Sequence, residues 1–176
     1  MNGTATFTPR YYASAMTRLW SRPGGFFSTQ PIDLALKRPL LTLLASCLFY
    51  ALACGISQKP ADPLKWCGLM FINAFGMTVI TAAAGFAVLL MTGGKRVPFA
   101  AFFSIYALSN SAVLLMAWIP FAVWVAEIYK WWLIGTGLTR SLGVPKWKAV
   151  FIIGASIAGV VVMFKSILLL TGTGWG

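Results

Sequence analysis

From Trp66 to Met91 the chain carries no charged side chain. A helix over that run would be about 39 Å long, more than the ~30 Å of a bilayer's hydrocarbon core. One such helix can hide in the centre of a soluble fold. Four more apolar runs share this sequence, however, at Pro39–Ile56, Pro98–Trp118, Pro120–Leu138 and Trp147–Thr171. With 59% of the residues hydrophobic and 10% charged, too few polar side chains remain to cover a soluble domain. The expectation is an all-α, polytopic integral membrane protein with five transmembrane helices.

The breaks between the runs carry turn chemistry. "SQKPADPLK" is polar and Pro-rich, "TGGKRVP" joins glycine, basic residues and proline, and "TRSLGVPK" is a basic turn closing on Pro145. At "WIP" only a tight hairpin separates the third and fourth runs, and Pro120 is expected to open the fourth helix. Lys and Arg then set the direction. Arg10, Arg18, Arg22, Lys37, Arg38, Lys95, Arg96, Arg140, Lys146 and Lys148 fall on one side, against Lys59 and Lys65 on the other. Basic loops stay inside, so the N-terminus is expected in the cytoplasm and the C-terminus outside.

Residues 1–38 form a separate cytoplasmic leader, ahead of a membrane domain over 39–176. Within "RYYASAMTRLWSRPGGFF", Tyr12, Met16, Leu19 and Trp20 fall on one helical face flanked by basic residues. That pattern predicts an amphipathic helix lying in the headgroup layer and ending at Pro23-Gly24-Gly25. Arg18, Trp20, Arg22, Phe26 and Phe27 would contact lipid or a membrane-protein partner. The net charge of +11 finds its natural counter-charge in anionic headgroups. No basic tract with interleaved aromatics points to nucleic acid.

The chain has no histidine, and its only acids are Asp33, Asp62 and Glu127. Paired-carboxylate, triad and histidine-metal chemistries therefore lack their parts, so neither an enzyme nor a metal or cofactor protein is expected. Polar groups do recur at similar depth in the spans: Asn73, Tyr106, Asn110, Glu127 and Lys130. Glu127 and Lys130 are i, i+3 on one helix and can pair. This layer reads either as a hydrogen-bonded lock between helices or as an ion or ligand site of a small channel or carrier. Cys54 and Cys67 flank the first outer loop, where an oxidising compartment would permit a disulfide.

Several stretches together resemble the Yip (Ypt-interacting protein) domain family in its compact bacterial form. They are the "RLW..P.GFF" leader, "GGKRVPF" before the third span, and "WWLIGTGL" running into a basic turn with "KA" opening the fifth. The resemblance extends from about Arg18 to Leu170. It implies a five-helix domain of the bacterial inner membrane with a cytoplasmic N-terminus and a membrane-organising or adaptor role. The eukaryotic family motif "DLYGP" has no counterpart, because Asp33-Leu34 is followed by Ala35. GTPase recruitment is therefore not carried over, and the family supplies no catalytic residues.

Overall fold

The structure, a computed structural model, describes residues 7–29, 36–92 and 97–170. Among them are seven α-helices and no strand: α1 Pro9–Ser21, α2 Pro23–Thr29, α3 Lys37–Gln58, α4 Pro63–Met91, α5 Phe99–Leu114, α6 Ala122–Ser141 and α7 Lys146–Leu170. The fold is all-α. Asp33, Lys95, Arg96 and Trp175 lie outside the described residues.

Helix α5 sits at the centre, with α3, α4, α6 and α1 packed around it. Every residue from Ala101 to Leu114 is buried except Asn110. At 16 residues, α5 is about 24 Å long, shorter than the span expected over Pro98–Trp118. It stops because residues 115–121 turn instead of continuing the helix: Met116 N–H reaches Val113 O at 2.9 Å and Ile119 N–H reaches Met116 O at 3.0 Å, both across three residues and not four. Phe121 then adopts φ 70°, a left-handed conformation that is costly for a bulky side chain. The fourth helix accordingly begins at Ala122 and not at Pro120.

Helices α3 and α4 are, among the described residues, the two long and apolar enough to cross a membrane. Their starts explain themselves at α4, where the Asp62 carboxylate accepts from Lys65 N–H at 3.2 Å and Pro63 occupies the first turn. Their faces are sorted unusually. The buried stripe of α4 is Ala74, Thr78, Ala82, Gly85 and Leu89, at spacings of three and four. Leu69, Ile72, Ile80 and Leu90 of the same helix point outward. On α3 the buried face includes Thr42, Ser46 and Cys47, while Leu48, Phe49, Leu52 and Ile56 are exposed. Only 33% of the most apolar stretch of α3, and 28% of that of α4, is buried. Neither stretch is mostly buried within the bundle.

The leader departs from expectation. Helix α1 ends at Ser21 with Arg22 as its cap, just before Pro23 as expected, but Pro23 then opens a second helix, α2, so "PGGFFST" is helical. Phe26 and Phe27, expected to contact lipid or a partner, are buried within the protein. Phe27 packs at Gly137 of α6, a position where any side chain would collide with Ile105, and Ser141 Oγ donates to Phe27 O at 2.7 Å. Ala15, Met16 and Leu19 of α1 are buried as well. The leader also runs along the bundle and not across its end. Tyr12 Oη and Ser46 Oγ share a hydrogen bond of 2.7 Å about 14 Å into α3, and Trp20 Nε1 donates to Ala112 O near the far end of α5 at 3.2 Å. Tyr129 Oη of α6 donates to Leu19 O at 2.9 Å. The predicted apolar face exists, and bundle residues cover its Met16 and Leu19, while Trp20 stays exposed. Arg18 and Arg22 remain exposed at the α1–α2 junction.

Candidate functional site

Asn110 is the one residue of the inner α5 run that is not buried, and it faces a cavity of about 60 Å³. Met77, Thr78 and Thr81 of α4, Tyr106 and Asn110 of α5, and Lys130 and Ile134 of α6 line it. Tyr106 and Asn110 are i, i+4 on α5, so both project to the same side. Thr78 and Thr81 sit on the buried side of α4 for the same reason. Lys130 closes the cavity from α6, its side chain 18% exposed.

The hydrogen bonds fix most of these groups. Thr78 Oγ1 donates to Ala74 O at 2.8 Å, and Thr81 Oγ1 donates to Met77 O at 2.6 Å. Asn110 Nδ2 donates to Thr78 Oγ1 at 2.5 Å, which joins α5 to α4. The Tyr106 hydroxyl is buried beside Ser156 of α7. Its place is made by Gly85, where a Cβ would stand 2.6 Å from the hydroxyl oxygen. Ser156 Oγ donates to Ile153 O at 2.8 Å and keeps lone pairs that can accept from Tyr106.

Lys130 Nζ pairs with Glu127 at 2.7 Å and 2.5 Å to the two carboxylate oxygens. It also lies 4.9 Å from the centre of the Trp131 ring. Because both ends of the ion pair stand on α6, the pair joins no two helices. The interhelical link of the expected lock is Asn110–Thr78, and Thr78 was not foreseen because a threonine in an apolar helix is indistinguishable from one bonded to its own backbone. Glu127 itself is exposed, its side chain at 48%, and lies on the outer flank of α6. Since α6 begins at Ala122, Glu127 is only about 7.5 Å from the start of its helix.

Of the five predicted layer residues, the structure brings together Tyr106, Asn110 and Lys130, with Glu127 behind the lysine. Asn73 is not among them. It is exposed on the outward side of α4, one residue before the buried Ala74. A one-residue step on a helix is about 100° of rotation, enough to turn a side chain away from the stripe.

The cysteines also differ from expectation. Cys47, Cys54 and Cys67 are free thiols. Cys67 Sγ donates to Ala51 O at 3.3 Å and packs where Gly55 leaves space, so its thiol is turned to α3 backbone and not into a bond with Cys54. Among the small residues, Gly85 alone of Gly76, Gly85, Gly154 and Gly159 has a neighbour at close range.

No protein-family model, curated protein or solved structure matches the chain. The likeness to the Yip domain gains no support from these comparisons.

Proposed function

We propose that this chain is a non-catalytic integral membrane protein with a membrane-organising role. The observation that carries the reading is the sorting of α3 and α4. Apart from Leu43 and Leu89, small and weakly polar residues dominate their buried faces, while Leu48, Phe49, Leu52 and Ile56 of α3 and Leu69, Ile72, Ile80 and Leu90 of α4 face out. In water this arrangement would expose apolar area at ~25 cal/mol per Å², whereas hydrocarbon removes that cost. Small residues between helices with large aliphatics outside is the packing that lipid favours. Val150, Phe151, Val161 and Val162 extend the exposed apolar surface onto α7.

In the five-span arrangement, α3 to α7 cross the bilayer in turn with the N-terminus in the cytoplasm. The α1–α2 leader enters the side of the bundle and returns to the inner end of α6. The short α5 is sheltered by its neighbours, so it can cross only part of the hydrocarbon without exposing backbone ends to lipid. Arg18 and Arg22, which this arrangement sets level with the outer parts of α5 and α6 and not with the inner headgroups, are the surface for a membrane-protein partner. This is the role that the Yip-like pattern implies, in a bacterial inner membrane.

Alkaline carbonate extraction of membranes from expressing cells tests the reading. The chain should stay in the membrane pellet; recovery in the soluble fraction would refute it. Reporter fusions after Lys59 and after Ser141 check direction, with the first expected outside and the second in the cytoplasm. A second reading, a small channel or carrier, is favoured by one observation: Lys130 turns into the polar cavity instead of out to the headgroups. Flux across proteoliposomes that disappears on altering the cavity would establish it.

A further inference from the structure

A second and larger hollow lies at the start of α4, a groove of about 630 Å³ between the α3–α4 turn and one face of that helix. Lys65, Gly68, Leu69 and Ile72 form its α4 wall, at spacings that keep them on one helical face. Leu69 and Ile72 are exposed, at 57% and 69%. Gly68 leaves the helix backbone bare between them, and a Cβ there would meet no atom within 4 Å. The two charged residues of the lining stand together at one end. The Asp62 carboxylate accepts from Lys65 N–H at 3.2 Å, which holds the two residues at the first turn of α4, and both side chains are exposed. That carboxylate has room for further donors, and the lysine ammonium carries three hydrogens.

From Asp62 to Ile72 the helix advances about 15 Å. In the five-span arrangement, on which the inference rests, that course runs from the outer headgroup layer into hydrocarbon, with Trp66 at the interface. A groove charged at one end and apolar along the rest has the polarity of a lipid. The pair of charges selects the headgroup. A phosphate answers Lys65. Asp62 repels a headgroup that carries only negative charge and accepts from one that adds an ammonium. A quaternary ammonium has no N–H to donate, so a primary ammonium gains a charge-assisted hydrogen bond that choline cannot make.

We propose that this groove binds one phospholipid of the outer leaflet whose headgroup joins a phosphate to a primary ammonium, as in phosphatidylethanolamine. Lys65 meets the phosphate, Asp62 meets the ammonium, and one acyl chain lies along Gly68, Leu69 and Ile72.

The test uses the full chain, purified in detergent and observed intact by native mass spectrometry. Dioleoyl phosphatidylethanolamine, phosphatidylcholine and phosphatidylglycerol, identical in their chains, are titrated singly. The chain should retain one ethanolamine lipid at a concentration about tenfold lower than the other two require, the worth of one hydrogen bond to a charged group. Asp62→Asn keeps the cap of α4, since asparagine caps as well as aspartate, and should remove that preference. Gly68→Leu fills the groove without meeting protein at its Cβ, favours the helix, and should weaken retention at least about tenfold. Equal retention of the three lipids overturns the proposal, as does a preference for phosphatidylglycerol. An Asp62→Asn or Gly68→Leu titration that superimposes on the wild type overturns it too. A chain that resists carbonate extraction yet shows no headgroup preference loses this site and keeps its place in the membrane; a chain that is extracted loses both.

Discussion

Helices α4 and α5 are alike in sequence and opposite in surroundings. Beyond Lys65 in the first turn of α4 both are free of charge, and both are rich in Ala and Phe. In α5 nearly every side is covered by protein. In α4 one narrow stripe of small residues is covered, and the larger side chains face out. Hydrophobicity therefore does not decide which helix is central. Side-chain size around the helix does. The interhelical stripe of α4 holds Ala, Thr and Gly along most of its length, and at Gly85 α5 fills the space with Phe102 and Tyr106.

The sharpest way to break this contrast is a matched pair of truncations. Phe102→Ala on α5 should cost about 3–5 kcal/mol, since it opens a cavity in packed protein. Leu69→Ala on the outer face of α4 should fall within about 0.5 kcal/mol. Detergent-based unfolding would read both, and equal losses would erase the distinction. Phe27→Ala extends the comparison to the leader. A loss of about 3–5 kcal/mol is expected for a phenylalanine buried on α6, and almost none for one resting in lipid.

A charge on the outer face separates lipid from water. Ile72→Lys should lower membrane insertion by about 2.5–3.5 kcal/mol if that face meets hydrocarbon at mid-depth. Unchanged insertion would mean that the face is wet. A smaller change is expected at the link between the two helices. Asn110→Ala should cost about 0.6–1.7 kcal/mol, the range of hydrogen bonds between membrane helices, and Thr78→Val should show no further loss when combined with it.

The smallest effect concerns the leader. Burial pushes the Tyr12 hydroxyl above its ordinary value of 10.0, more than its bond to Ser46 draws it down. A group raised on folding adds stability below its unfolded pKa and loses it as pH climbs through the folded one. Wild-type stability should therefore drop above about pH 10 more steeply than that of Tyr12→Phe. Parallel pH profiles would show that Tyr12 is not buried on α3.

The helices themselves were legible in the residues. Uninterrupted apolar runs and Pro/Gly punctuation placed α3, α4, α6 and α7 within a few residues, because helix ends follow local signals such as Asp62-Pro63. The exceptions are instructive. Pro23 follows the end of α1 but also opens α2, and Pro120, expected to open the fourth helix, lies in the turn before it, since proline fits either just before a helix or at its first turn. The leader's apolar face was also visible, but periodicity cannot distinguish a face meant for lipid from one meant for protein. Both require the same side chains.

The polar cluster divides in the same way. That Tyr106 and Asn110 share a face, and that Lys130 reaches Glu127, follows from helical spacing alone. Which helix supplies the partner does not. Asn73 and Thr78 are both polar residues of α4, and only the rotation of that helix against α5 turned Thr78 to Asn110 and Asn73 away. The sequence by itself determined the helices, their apolar character and the scarcity of acids. The tertiary structure alone decided that α5 is the covered helix, that the leader lies along the bundle, and that Tyr106, Asn110 and Lys130 face one cavity. The reason is physical: local spacing specifies a helix and its faces, while which face meets which neighbour depends on side-chain volumes brought together from distant parts of the chain.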